Sequence, residues 1–288
     1  FDKYDPIFSL FENKIKYRYL GKGFFSYLRF SFIDADYLIS TTPNIGTPGY
    51  PIKKPKNVKN LIHIFHSISD ISIYKKGSLD NYDIVFLAGK FQINSIRYLE
   101  QKRELKSKEL ISIGVPYLEH LTKNKIEQKS DGNTILIASS WSKKGCLIVY
   151  GIDFIINLVK DGYNIIVRPH PQSYISEPDY ISYCKKKLSN FSNVEWDDNK
   201  SPIKSMSKAD LLISDTSSIR FDYYFLYKKP IITLIIDDLN MNGYEYEELK
   251  IKDTLYNDIF GITIKENEID SLPKTLKFIL NSNKLYDS

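Results

Sequence analysis

Cysteine is scarce in this chain of 288 residues, which holds two, Cys146 and Cys184. Two thiols so far apart make neither a disulfide framework nor a metal-ligand spacing, and they fit a reducing compartment such as the cytoplasm. Long apolar runs are also missing. None approaches the ~20 residues of a membrane-spanning helix, and no secretory leader is visible. The first residue is Phe1 rather than Met, so the sequence leaves room for an anchor or further chain upstream. Neither sign of charge dominates: 40 Lys and Arg stand against 35 Asp and Glu, for a net charge of +5. That balance tolerates an anionic ligand or an anionic membrane surface and selects neither. Disorder is excluded by composition, since 42% of the residues are hydrophobic and 26% charged. The length suits two domains of ordinary size.

What is present is a rhythm. Short apolar runs predict strands over residues 36–41, 61–66, 83–88 and 110–114. A polar segment, 124–133, interrupts them, and the pattern restarts with 134–139, 164–168, 194–196, 210–214 and 231–236. Helical spacing covers 147–162, with Gly162 as a C-cap, and also 180–190, 218–229 and 272–283. Alternating strands and helices imply α/β architecture with parallel sheets. The expected division is a first domain over residues 1–128 and a second over 129–288, with a ligand cleft at the carboxyl ends of the strands. The Pro- and Gly-rich stretch 41–57 reads as a long loop at a strand end, where function tends to sit.

Three places could carry chemistry. In "NIIVRPHPQS" (164–173) a buried-looking strand ends in Arg168 and His170, each followed by a proline that stiffens the segment. A plain surface turn is the competing explanation. In "ISDTSSIRFDYYFLYKKPII" (213–232) a strand ends at Ser214, and Asp215, Thr216, Ser217 and Ser218 stand where a helix begins. Free N–H groups there, together with hydroxyls, suit a phosphate; ordinary N-capping by Asp215 or Ser217 is the alternative. Ser218 and Asp222 share a helix face. Lys228 and Lys229 read as structural, closing the helix at its negative end. Third, His66 ends a predicted strand and could act as a general base, whereas His63, inside it, reads as a core histidine. If the two strands are parallel and close in the sheet, Arg168, His170, Ser217 and Ser218 meet on one rim as a diphosphate site.

With those residues in view, "IFHS" (64–67), "YKKGSLDNYD" (74–83), "IGVPYLEHL" (113–121), "ILIASSW" (135–141), "IIVRPHP" (165–171) and "SDTSSIRFDYYFLYKKPII" (214–232) resemble the CDP-glycerol glycerophosphotransferases, the teichoic-acid and capsule-type polyol-phosphate transferases. The resemblance implies a GT-B fold of two Rossmann-like domains, the second binding a CDP-activated donor. It implies that His66 corresponds to the first-domain histidine proposed as catalytic. It implies further that Arg168, His170, Ser217 and Ser218 line the donor diphosphate, with Asp222 nearby. The sequence departs from many relatives in having Ser67 after that histidine, where they have glycine, and Thr216 before the serine pair.

The expected activity is transfer of glycerol phosphate, or a related polyol phosphate, from CDP-glycerol or CDP-ribitol to a hydroxyl acceptor on a glycan or polyol-phosphate chain. Catalytic duty is expected of His66 and His170, and donor contact of Arg168, His170, Asp215, Thr216, Ser217, Ser218 and Asp222. No carboxylate cluster argues for a resident metal, though Mg²⁺ could accompany a diphosphate. Two alternatives stand beside this: a nucleotide-sugar glycosyltransferase of the same fold, and a non-catalytic binding module. The stretch 13–30 interleaves Lys14, Lys16, Arg18, Lys22 and Arg29 with aromatics. It could lie on an anionic membrane at the inner face of the cell, or it could be a curled strand or hairpin with a solvated edge. Nucleic acid is a poorer partner, because no recognised module accompanies the pattern.

Overall fold

A computed structural model describes residues 19–21, 23–128, 132–236, 242–249 and 261–286. By contact the chain forms two compact units. Among the described residues the first takes 19–66, Ile71–Gly114 and 243–249, and the second takes Ser67–Asp70 and most of the chain from Val115 onward. The division thus falls after Gly114, ahead of the expected boundary at 128, part of which (129–131) lies outside the described residues. The reason is the helix Pro116–Lys123, whose Leu118 and Leu121 pack with Leu136, Ile166 and Leu212 of the second unit.

The first unit holds a parallel sheet in the order β1 (Asp34–Ser40), β2 (Asn57–Ile64), β3 (Ile84–Leu87) and β4 (Glu109–Ser112). Its core is Leu61, Phe65, Tyr82, Val85 and Leu87, covered by Ile96 and Leu99 of the helix Gln92–Lys102. The Pro-rich loop is ordered: Ile45 is buried, and Asn44 accepts the Ser78 hydroxyl at 2.6 Å. The motif at 74–83 therefore braces it. Before β1 lies a helix, Phe24–Ser31, in place of the hairpin weighed above. Gly23, at φ 65, turns the chain into it. Phe24, Phe25 and Tyr27 of this helix are exposed, while residues 13–18 and 22 lie outside the described residues.

The second unit holds β5 (Thr134–Ser139), β6 (Asn164–Pro169), β7 (Val194–Trp196), β8 (Leu211–Ser214), β9 (Ile231–Ile235) and β10 (Gly261–Lys265), all parallel, in the order β10-β9-β8-β5-β6-β7. Counted within the unit this is the 3-2-1-4-5-6 order of a doubly wound dinucleotide-type fold. Both faces of the central strands β5, β6, β8 and β9 are covered, which is why these read as apolar runs. Ile135, Ile137, Ile165, Val167, Leu211 and Ile213 pack under the helices Asp153–Lys160, Pro178–Leu188 and Leu272–Tyr286. The alternate residues Leu136, Ala138, Ile166 and Leu212 pack under Pro116–Lys123, Ile203–Lys208 and Ile219–Tyr227. The helix expected over 147–162 is two, Cys146–Val149 and Asp153–Lys160, because Gly151 turns left-handed (φ 70) between them.

Candidate active site

In a sheet of this order the chain reverses its winding between the first and fourth strands, and a crevice opens beyond their carboxyl ends. Here those strands are β5 and β8, and their loops are Ser140–Gly145 and Asp215–Ser218. Ala138 pairs in register with both Arg168 and Ser214, so β5, β6 and β8 end side by side.

Asp215 fastens the two loops. It is fully buried and accepts from the Ser140 amide (3.0 Å), the Cys146 amide (2.8 Å), the Ser217 amide (3.0 Å) and the Ser139 hydroxyl (3.2 Å). A carboxylate so enclosed organises the rim from behind, which differs from the donor contact expected of it. No side chain caps the helix Ile219–Tyr227. The hydroxyls of Thr216, Ser217 and Ser218 are half-buried and have no hydrogen-bond partner among the described residues. Beneath them Arg220, 1% exposed, donates from Nε to the Ser217 carbonyl (3.2 Å) and from Nη1 to Thr233 (3.0 Å), placing a cation behind the helix start. Sequence reading missed Arg220, which lies inside a stretch read only as a helix (218–229).

The "RPHP" residues divide. Arg168, nearly buried, is bound to Asp197 (Nη1–Oδ2 2.6 Å) and to the Lys200 carbonyl (Nη2, 3.2 Å). Burial alone would raise the Asp197 pKa, but hydrogen bonds from Ser205 and Asn199 and the charge of Arg168 bring it below the usual carboxylate value. Arg168 is thus committed to a protein partner that no local pattern announced. His170 is half-buried, and its Nδ1 accepts from the Gln172 amide at 3.1 Å. That bond makes Nδ1 the acceptor and puts the proton of the neutral ring on Nε2.

His66 lies two residues past the end of β2, in the first unit, and is exposed. The surrounding protein still strips enough water from the ring to lower its pKa. His63 is fully buried, with Nε2 3.2 Å from the Tyr74 hydroxyl. Lys229 donates to the Ala209 carbonyl at 2.6 Å, as a structural residue should. Among the described residues no three His, Cys, Asp or Glu side chains group as a metal site, and no described helix is long and apolar enough to cross a membrane. A recess of about 380 Å³ lined by Thr134, Asn164, Asn193 and Lys208 lies at the amino ends of the strands, the wrong end for this chemistry.

A doubly wound unit with two loops latched at its switch point is the frame of a nucleotide-binding α/β protein. Residues 70–286 match the family model described as CDP-Glycerol:Poly(glycerophosphate) glycerophosphotransferase. The chain belongs to this family and is a CDP-glycerol-dependent transferase. His66 falls just ahead of the matched range. Comparison with curated protein sequences gave no match. Similar solved structures include the wall teichoic acid polymerase TagF, at 17% identity over 88% of this chain and 67% of that one, with a TM-score of 0.47. The UDP-GlcNAc 2-epimerase from Methanocaldococcus jannaschii follows at 12% identity over 77% and 62%, with a TM-score of 0.43. TarM follows at 14% over 81% and 45%, with a TM-score of 0.41.

Proposed function

We propose that this chain transfers glycerol phosphate from CDP-glycerol to a hydroxyl of a growing cell-surface glycan or polyol-phosphate chain. The two units would work as a GT-B pair, the second holding the donor and the first presenting the acceptor. The acceptor oxygen attacks the phosphorus that bears glycerol. The bond between that phosphorus and the bridging oxygen of CMP breaks, and CMP leaves with the electron pair. His66 takes the proton of the attacking hydroxyl. Negative charge on the leaving CMP is met by the helix start at Ser218, by the Nε2 proton of His170 and by the buried charge of Arg220.

The observation that carries this reading is the trio of half-buried hydroxyls, Thr216, Ser217 and Ser218, without hydrogen-bond partners among the described residues, at the switch point of the sheet. The exposed aromatics of Phe24–Ser31 fit a peripheral position on an anionic membrane, where lipid-linked acceptors are found. The test is CMP release from CDP-glycerol in the presence of a poly(glycerol phosphate) or glycan primer, with CDP-ribitol as competing donor, with and without Mg²⁺. Replacing Ser217 and Ser218 together with alanine should weaken CDP binding by roughly 1–3 kcal/mol. Unchanged binding in calorimetry would reduce the helix start to an ordinary turn.

A further inference from the structure

Asp222 is buried, at 8% exposure, and its carboxyl has no hydrogen-bond or ion-pair partner among the described residues. It lies one turn beyond Ser218 on the same helix face. Among the described residues, Tyr117, from the helix Pro116–Lys123, is within electrostatic reach of both Asp222 and Arg168, which stands near the end of β6. Arg168 is already bound to Asp197. Among the described residues the carboxyl is therefore left without a cation of its own.

Such a group beside a diphosphate has two options. As a carboxylate it repels the ligand and has nothing to donate; as a neutral acid it has an O–H to give. Burial favours the neutral form and raises the Asp222 pKa to about 7. A bound diphosphate would raise it further, since like charges disfavour ionisation. We propose that Asp222 enters the donor complex as a neutral carboxylic acid that donates its O–H to a donor phosphate oxygen, so that donor binding takes up a proton. This rests on the donor site proposed above.

The experiment is titration calorimetry of CDP-glycerol, without acceptor, in buffers of different ionisation enthalpy between pH 7 and 9. The diphosphate diester does not titrate in that range. The wild type should take up about one proton per donor bound at pH 8, and affinity should fall about tenfold per pH unit above 7. Asp222→Asn, which keeps a donor and cannot ionise, should abolish the uptake and flatten the pH profile. Asp222→Ala should bind at least ~10-fold more weakly than Asp222→Asn. Binding by the wild type without proton uptake would overturn the proposal and make Asp222 a carboxylate that accepts a donor hydroxyl. Failure of the wild type to bind CDP-glycerol at all would instead overturn the donor site beneath it, and the proposal with it.

Discussion

His63 and His66 stand three residues apart, and their surroundings give the two rings different chemistry. His63 is boxed by Phe65, Tyr74 and Tyr82, with ring centroids 4.8, 5.6 and 5.3 Å away. Burial first, and the nearby His66 second, push its pKa down to about 3. It is a neutral core residue whose unfolded form binds a proton that the folded form refuses. Its contribution to stability is complete above about 6.5 and is lost as pH falls from there towards 3. His66 is accessible, and its lowered pKa keeps the ring neutral and basic at pH 7. If it is the base, kcat/KM should fall on the acid side with a midpoint below 6.5, because a protonated ring takes no proton. His66→Ala should lose ~10²–10⁴-fold in turnover while CDP affinity holds. An acid limb that survives in His66→Ala would move the base elsewhere. Position in the predicted strand distinguished the two histidines, His63 inside it and His66 at its end, although β2 itself stops at Ile64. Such a pattern could not show that Arg168 is paired, since Asp197 comes from the end of another strand and only the tertiary fold joins them.

At the scale of elements, a fully buried strand was the most legible. The apolar run 134–139 coincides with β5 to the residue, because a strand covered on both faces leaves an unbroken hydrophobic signature. β10, "GITIK", went unread: it is an edge strand with one buried residue, Ile264, and carries little apolar signal. The loop Ser140–Gly145 was also missed, because its importance lies in packing. Gly145 has ordinary dihedrals (φ -74, ψ 146), so its backbone does not require glycine. Space does: a Cβ there would lie 2.3 Å from the Ser140 carbonyl oxygen and 2.7 Å from Ser139 Oγ. Gly145→Ala should therefore pry the loop from Asp215, cost about 1–3 kcal/mol of stability and weaken CDP binding with it. Gly151→Ala is the control. Its Cβ would meet nothing within 4 Å, and its φ of 70 predicts strain of roughly 1 kcal/mol without an effect on CDP. Thermal unfolding and CDP titration of both variants separate the cases. Unaltered CDP affinity in Gly145→Ala would mean that the two loops act independently.

The whole chain is less sequential than its rhythm suggests. The connection between β9 and β10 contributes 243–249 to the first unit before the chain resumes the second sheet. The receiving site is the motif at 74–83. Lys76 N–H donates to the Gly243 carbonyl at 2.8 Å, Glu245 N–H to the Tyr74 carbonyl at 2.8 Å, and Gly77 N–H to Glu245 Oε1 at 2.8 Å. Arg103, at the end of the helix Gln92–Lys102, closes the clasp. It binds Glu245 through two nitrogens, Asp80 at 2.8 Å and Glu248 at 3.2 Å. Burial alone would lower the pKa of this guanidinium, but Glu245 and Asp80 raise it, so the charge is permanent. Glu245 is 2% exposed. Removing Arg103 would strand that carboxylate in a dry site, and breaking one side of a buried pair costs about 3–5 kcal/mol. Removing both partners should cost less than the sum of the single changes. The readout uses the position of the tryptophans: Trp141 and Trp196 both belong to the second unit. Tryptophan fluorescence thus follows the second unit alone, whereas far-ultraviolet dichroism follows both. Arg103→Ala should move an early dichroism transition to lower urea and leave the tryptophan transition near its wild-type midpoint. Arg103→Ala combined with Glu245→Gln should recover part of the loss. If instead both signals shift together by the same amount, the two units unfold as one, and the clasp stabilises the molecule as a single cooperative body.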